Sequence, residues 1–309
     1  MCRAPKLLLA LLVVTGAVTI QPANRLMASP AEGPENPGQT VQRATLQPAA
    51  AKSPNVPVVD TDTDNDYEVQ TEQELLVLAN QSRKQAGAPP LTLDAGLSQA
   101  ARTHALAMLE AQQLSHQFEG ELSLPIRLAD KTHLQLDQEG ENVALDYSAA
   151  GGHEHLMLSP PHRANLLNPA YNVVGLGVVR NGDRLYIVQD FGHALPNYSP
   201  AEVKDRVAAA VSQMRHQASL AGLPRHDLPT ADNAACSMAQ ADRLGTSPVR
   251  QLAARATVLT YTSLHPETLP TGTEHAISSR TLHSFSVGAC YSRTETYPTG
   301  VYWVVLSLE

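Results

Sequence analysis

Three short segments carry the side chains best suited to chemistry. Ser115-His116 comes first, Glu139-Gly140-Glu141-Asn142-Val143-Ala144 second, and Ser159-Pro160-Pro161-His162-Arg163-Ala164-Asn165-Leu166-Leu167 third. Imidazoles and carboxylates are the groups that hold divalent cations and move protons. His116, Glu141 and His162 lie far apart along the chain, so only tertiary folding can bring them together. Spacing alone is therefore weak evidence of a site. The alternative is that all three are hydrogen-bonding struts between helix and sheet.

Other polar residues carry less. His104 falls on the apolar face of a helical pattern, where a packed core histidine is expected. His153-Glu154-His155 is a compact trio that reads as a solvated loop, with adventitious metal binding as the alternative. Asn80-Gln81-Ser82 and Asn197-Tyr198-Ser199 fit the glycosylation acceptor pattern. No Gly-rich phosphate loop, zinc-type cysteine pairing or nucleophile elbow is present in the sequence.

The 309-residue chain has 22 basic and 30 acidic side chains, for a formal net charge of −8. With no Lys/Arg block and only 3 Phe and 1 Trp, it lacks both the charge and the stacking surface of a nucleic-acid binder. Arg3 and Lys6 precede an apolar run over residues 7–20, and the small residues Ala28 and Ser29 follow. Residues 1–28 therefore read as a signal peptide, the run being short for a bilayer span, with an uncleaved membrane anchor as the alternative. The mature protein is expected outside the cytoplasm, secreted or periplasmic, with no transmembrane helix after cleavage. Cys2 would leave with the signal. Cys236 and Cys290 then form an even pair, read as one disulfide worth about 4 kcal/mol in the chain-entropy model. Two buried thiols are the alternative.

The elements that must position these groups follow from periodicity. Residues 29–66, rich in Pro, Ala and Thr, read as a disordered linker. Thr71-Glu72-Gln73-Glu74 reads as a capping box opening a helix that Gly87, Pro89 and Pro90 stop. A second helix runs from Asp94 to about Ala111, with Leu97, Ala100, Ala101, His104, Ala105 and Met108 on its apolar face. Strands over 173–179 and 185–191 flank Asn181-Gly182, a hairpin signal.

The pattern then recurs. Ser199-Pro200-Ala201-Glu202 is a second capping box, and Arg215-His216-Gln217-Ala218 echoes Arg83-Lys84-Gln85-Ala86. A helix near 231–243 and a terminal hairpin over 285–291 and 301–308 follow. Val174-Gly175-Leu176-Gly177 matches Val287-Gly288-Ala289-Cys290, and Leu185-Tyr186-Ile187-Val188 matches Val301-Tyr302-Trp303-Val304. Residues 199–309 thus read as a shortened, degenerate copy of 67–193, the alternative being two unrelated pieces with shared capping and hairpin grammar. On the copy reading Cys236 lies on a helix and Cys290 on a strand. The short gap between Phe191 and Ser199 favours packing of the two halves.

The words in residues 67–193 resemble the CAP superfamily: cysteine-rich secretory proteins, antigen 5 and pathogenesis-related-1 proteins, in their bacterial branch. Those words are Ala79-Asn80-Gln81-Ser82-Arg83, His104-Ala105-Leu106-Ala107-Met108, Ser115-His116, Glu141-Asn142-Val143-Ala144, Ser159 through Leu167, Gly175-Leu176-Gly177 and Gln189-Asp190-Phe191-Gly192. The resemblance implies an α+β fold, a three-layer α-β-α sandwich with an antiparallel central sheet, followed here by the degenerate α+β region. It also implies a cleft holding zinc or another divalent cation on His116, Glu141 and His162. The family's second glutamate is missing, because Leu156 and Ser159 stand where a helix Trp and that Glu occur, and Pro161 replaces a Gly. Glu154 is the alternative to that missing carboxylate, against the solvated loop that its trio first suggests. A His2Glu set leaves zinc a fourth position for water or ligand; without metal, Glu141 would orient an imidazole. The expected function is binding of the cation and of a small or lipid-like ligand, more as a binder than as an enzyme. The alternatives are a metal-assisted hydrolase using Glu141, His116 and His162, or a non-catalytic scaffold engaging an envelope protein.

Overall fold

The computed structural model describes residues 67–309 together with the backbone of Leu11–Val14 (β1), which pairs antiparallel with a strand of the second sheet. The rest of the expected signal segment and the 29–66 linker lie outside the described residues.

Residues 67–194 form α1 (Val69–Gln85), β2 (Thr92–Leu93), α2 (Ala95–Ala111), α3 (Leu124–Lys131), β3 (Leu136–Asp146), α4 (Ala149–Leu158), α5 (Pro160–Leu166), β4 (Val173–Asn181) and β5 (Arg184–Ala194). The sheet order is β2-β4-β5-β3, antiparallel except for β2 beside β4. Alternation along the strands supplies both faces. Val174, Leu176, Val178 and Ile187 pack with Leu75 of α1, Leu156 of α4 and Leu166 of α5. Val143, Val179 and Val188 pack with Ala101, Ala105 and Met108 of α2. The result is a three-layer α-β-α sandwich. Gly175 and Gly177 allow α2 to approach β4 closely, since a Cβ on either would run into the backbone of Leu97 or Ala101.

Asp94, where the second helix is expected to start, caps α2 by accepting from the Leu97 amide at 2.8 Å. Two local readings are corrected. Thr71 is not a cap: α1 starts at Val69, because Glu68 N donates to Val178 O at 3.0 Å and pins the chain to the β4 edge. The His153-Glu154-His155 trio is helical rather than a loop. Gly151 and Gly152 of α4 disfavour helix, but Ser148 caps it by accepting from Gly151 N, and Gly152 lies against Ile187.

The second half repeats the layout with α6 (Pro200–Gln217), β6 (Arg225–His226), α7 (Pro229–Gln240), α8 (Arg250–Ala253), β7 (Thr257–Ser263), α9 (Glu274–Ile277), β8 (Phe285–Ser292) and β9 (Val301–Leu308). Its strands run β6-β8-β9-β7, with β6 parallel to β8 and β1 added beyond β7. Val203, Val207 and Val211 of α6 cover Tyr302, Val304 and Leu306, while Ala231, Ala235 and Met238 of α7 cover Val301, Trp303 and Val305. Ser199 and Glu202 close the capping box.

Buried arginines coincide too. Arg83 donates Nε to Pro89 O and Nη1 to Leu166 O and Asn168 O. Arg215 donates Nε to Ala221 O and Nη1 to Ile277 O and Ser279 O. Gly288 meets the Ala231 backbone as Gly175 meets that of Leu97. With these glycines aligned, Ile187 (paired with Val178) corresponds to Tyr302 (paired with Tyr291). The sequence match of 185–188 with 301–304 is therefore one residue out, because the β8–β9 connection is longer than the β4–β5 turn. Cys236 and Cys290 form the expected disulfide, with Cα atoms 5.1 Å apart, and it ties α7 to β8.

The halves are joined by specific bonds. Gln135 Nε2 donates to Gly300 O at 3.2 Å, and Thr299 Oγ1 donates to Leu136 O at 3.0 Å. Asp137 sits between His193, at 2.6 Å, and His265, at 3.3 Å.

Candidate functional site

Glu141 lies in the middle of β3, His116 on the α2–α3 connection and His162 within α5. The fold joins the first two directly: His116 Nδ1 donates to Glu141 Oε1 at 2.7 Å. The ring of His162 faces that of His116, with centroids 6.5 Å apart. Two asparagines fasten α5 to β3. Asn142 Nδ2 donates to His162 O at 3.1 Å, and Asn165 Nδ2 donates to Glu141 O at 3.1 Å and to Asn142 Oδ1 at 3.0 Å.

The other Glu141 oxygen is also taken. Arg127 of α3 donates Nη2 to Oε2 and Nη1 to His116 O at 3.3 Å, and its Nη1 stands 3.2 Å from Glu121 Oε1. Glu121 in turn accepts from His104 Nδ1 at 2.6 Å, and His104 Nε2 donates to Ser115 O at 2.9 Å. His104 is fully buried, a core histidine as its helical position implies. Asp190, also fully buried, pairs with Glu141 across β3 and β5. Burial first, then the charge of Glu141, pushes the Asp190 carboxyl well above the usual carboxylate range.

The two imidazoles are driven apart electrostatically. The hydrogen bond to Glu141 raises the pKa of His116 against a smaller opposing effect of burial. Burial lowers that of His162, and the charge of His116 lowers it further.

The remaining sequence candidates lie elsewhere. Glu154 stands on the exposed face of α4. Its neighbours diverge: His153 is buried with Nε2 2.8 Å from Ser82 Oγ, while His155 Nδ1 meets Asp146 at 2.5 Å. Asn80 is occupied as a strut, donating to Leu91 O at 3.0 Å and accepting from Leu91 N at 2.7 Å, which removes it as a ready glycosylation acceptor.

Sequence reasoning missed Arg127, Glu121 and the role of Asp190. One signal was present: an aspartate inside the apolar strand Leu185-Tyr186-Ile187-Val188-Gln189-Asp190-Phe191 requires either a partner or neutralisation.

This arrangement decides how a cation would fit. Glu141 has both oxygens committed, and a cation bound to it would face the Arg127 guanidinium. Among the described residues, no three His, Cys, Asp or Glu side chains converge as a metal-holding group. The imidazole pair fits better. With Nδ1 of His116 turned to Glu141, Nε2 is the nitrogen that would be left to hold a cation, and Glu141 would then stand as the carboxylate behind that histidine.

Residues 76–191 match the model of the cysteine-rich secretory protein family, CAP. The chain is similar to the membrane protein YlbC of Bacillus subtilis, 33% identical over 134 residues, which cover 43% of this chain and 37% of YlbC. It is also similar to YkwD of the same organism, 27% identical over 143 residues covering 45% of this chain and 52% of YkwD. An extracellular SCP-domain protein of Bacillus anthracis, solved as a crystal structure, is 25% identical with a TM-score of 0.38, over 46% of this chain and 45% of that one. The chain thus spans 37% and 52% of the two curated relatives. Residues 76–191, with their sandwich, are a CAP domain. No helix among the described residues is long and apolar enough to cross a membrane.

Proposed function

We propose that this CAP domain acts outside the cytoplasm, after loss of residues 1–28, as a binder whose cleft takes a divalent cation such as zinc between His116 and His162. The observation that carries the reading is the bond of His116 Nδ1 to Glu141, with His162 facing the same ring. Glu141 orients His116 and makes it a stronger donor, Arg127 holds Glu141 in place, and the asparagine clamp fixes His162. A cation there supplies Lewis-acid charge to an oxygen of a small or lipid-like ligand. Exposed Leu114, Leu122 and Ile126 lie in the segments around His116, and exposed Leu158 precedes α5, which supports an apolar portion in that ligand.

Residues 199–309 are, in this proposal, a shortened copy of the CAP domain without its chemistry. Aligned on Gly175 and Gly288, the register puts Thr260 and Val305 where the first half has Glu141 and Asp190.

Calorimetric titration of the mature protein with zinc tests the reading. One saturable site is expected, abolished in a folded His116→Ala/His162→Ala variant. Affinity should rise with pH as His116, whose proton Glu141 retains, gives it up. Equal zinc binding by the two proteins would overturn the assignment.

A further inference from the structure

We propose that Arg293 is a positioning residue for the cleft: through it the β8–β9 loop braces α3 and thereby holds Arg127 against Glu141. The inference builds on the cleft described under Proposed function, but concerns its apo geometry rather than its cation.

The argument starts from α3, a helix of eight residues. Helices this short are marginal without tertiary support, and their last carbonyls need partners. Thr132 N satisfies Leu128 O at 2.9 Å. The next partner comes from the other half of the molecule. Arg293 donates Nη1 to Thr132 O at 2.8 Å and Nη2 to Ala129 O. Its positive charge also complements the negative end of the helix dipole. Ala129 and Thr132 are both buried, so water does not readily replace the guanidinium.

The loop that presents Arg293 is itself tied down. Arg293 Nε donates to Pro298 O at 2.7 Å, and Thr294 N donates to Tyr297 O at 3.1 Å. Asp242 accepts from Thr294 Oγ1 at 2.6 Å and from Thr296 N at 2.8 Å. Gly300 has φ +92°, and a Cβ there would strike the Tyr291 hydroxyl. The same loop grips the start of β3 through Thr299 to Leu136 and through Gln135 to Gly300.

Arg127 and Glu141, the two partners of the site's ion pair, thus sit on the two elements this loop holds. In the first half the corresponding connection is only residues 182–183 between β4 and β5, whereas here it is residues 293–300. The extra length is what reaches α3. The C-terminal half, without chemistry of its own, sets the geometry of the first half's cleft.

The test uses the full mature chain, disulfide intact and metal-free. Imidazole 15N NMR of His116 and His162 is recorded with amide exchange of residues 128–132 in Arg293→Gln, Arg293→Lys and the control Arg225→Gln, whose side chain pairs with exposed Asp205. Arg293→Gln is expected to shift the His116 ring signals and to speed exchange in α3 by roughly tenfold to a hundredfold. Arg293→Lys, which keeps the charge but loses the two-carbonyl fork, should fall between it and the parent, and the control should match the parent. Unchanged His116 signals and α3 exchange in either folded Arg293 variant would overturn the proposal. If Arg293→Gln does not fold, Arg293→Lys alone decides. No zinc enters the measurement, so a cleft that fails to bind zinc leaves this result standing.

Discussion

Arg127 and Glu141 form a buried ion pair between α3 and β3, and the carboxylate that receives the guanidinium also accepts a hydrogen bond from His116 Nδ1. One acidic side chain thereby links the helix that Arg293 of the C-terminal half contacts to the largely exposed imidazole of His116. The pair's value is chiefly in geometry. A buried ion pair contributes little net stability, yet removing one partner strands the other.

Replacing Arg127 by Met should therefore destabilise the protein by about 3–5 kcal/mol, because Glu141 remains buried without its countercharge. Arg127→Met/Glu141→Gln should recover much of the loss, since a neutral amide demands less. Urea unfolding of the two variants and the parent measures both effects. Similar stabilities for Arg127→Met and the parent would mean that the pair does not hold Glu141 in solution.

A second carboxylate on β3 gives a pH dependence. Burial, and secondarily the charge of Asp137, raises the Glu139 pKa from 4.5 to about 7. A carboxyl with its folded pKa above the unfolded value binds its proton more tightly when folded. Its contribution is thus present at acid pH and falls as pH rises through the window from 4.5 to about 7. Above that window the native state carries a penalty of up to roughly 3 kcal/mol. Glu139→Gln should raise stability near pH 8 and flatten the profile, read from thermal unfolding across pH. A variant with the parent's profile would assign the slope to other groups.

The two buried arginines give a comparison within one chain. Arg83 serves the carbonyls of Pro89, Leu166, Asn168 and Tyr171, whereas Arg215 serves those of Ala221, Ile277 and Ser279. Each orphaned buried carbonyl costs about 1–3 kcal/mol before relaxation. Arg83→Met should thus be the more damaging substitution, and both should exceed a surface change such as Arg225→Gln. Denaturant midpoints for the three variants rank them. An Arg215→Met protein less stable than Arg83→Met would reverse the expectation.

Much of the fold was legible because its signals are local. Asp94 and the apolar stripe of α2, the capping box of α6 and the Asn181-Gly182 turn each depend on a few neighbouring residues. Where local preference and packing disagreed, packing prevailed: the His153-Glu154-His155 trio reads as a loop but lies in α4, which packs on the sheet. The start of α1 was misplaced for a related reason, since a backbone bond from β4 fixes it and not Thr71.

The site divides in the same way. His116, Glu141 and His162 stood out by their neighbours in sequence, and the sandwich that carries them is what the resemblance to the CAP superfamily implies. Their roles did not. That Glu141 serves Arg127 and His116 together, that Asp190 is buried beside it with its pKa raised, and that Arg293 reaches the end of α3 are choices among charged partners distant along the chain. The sequence determined which faces are apolar and where the chain turns, because burial periodicity and capping act within a few residues. Only the tertiary structure decided which charges meet, because a hydrogen-bond partner is selected by what else is desolvated at the same point in space.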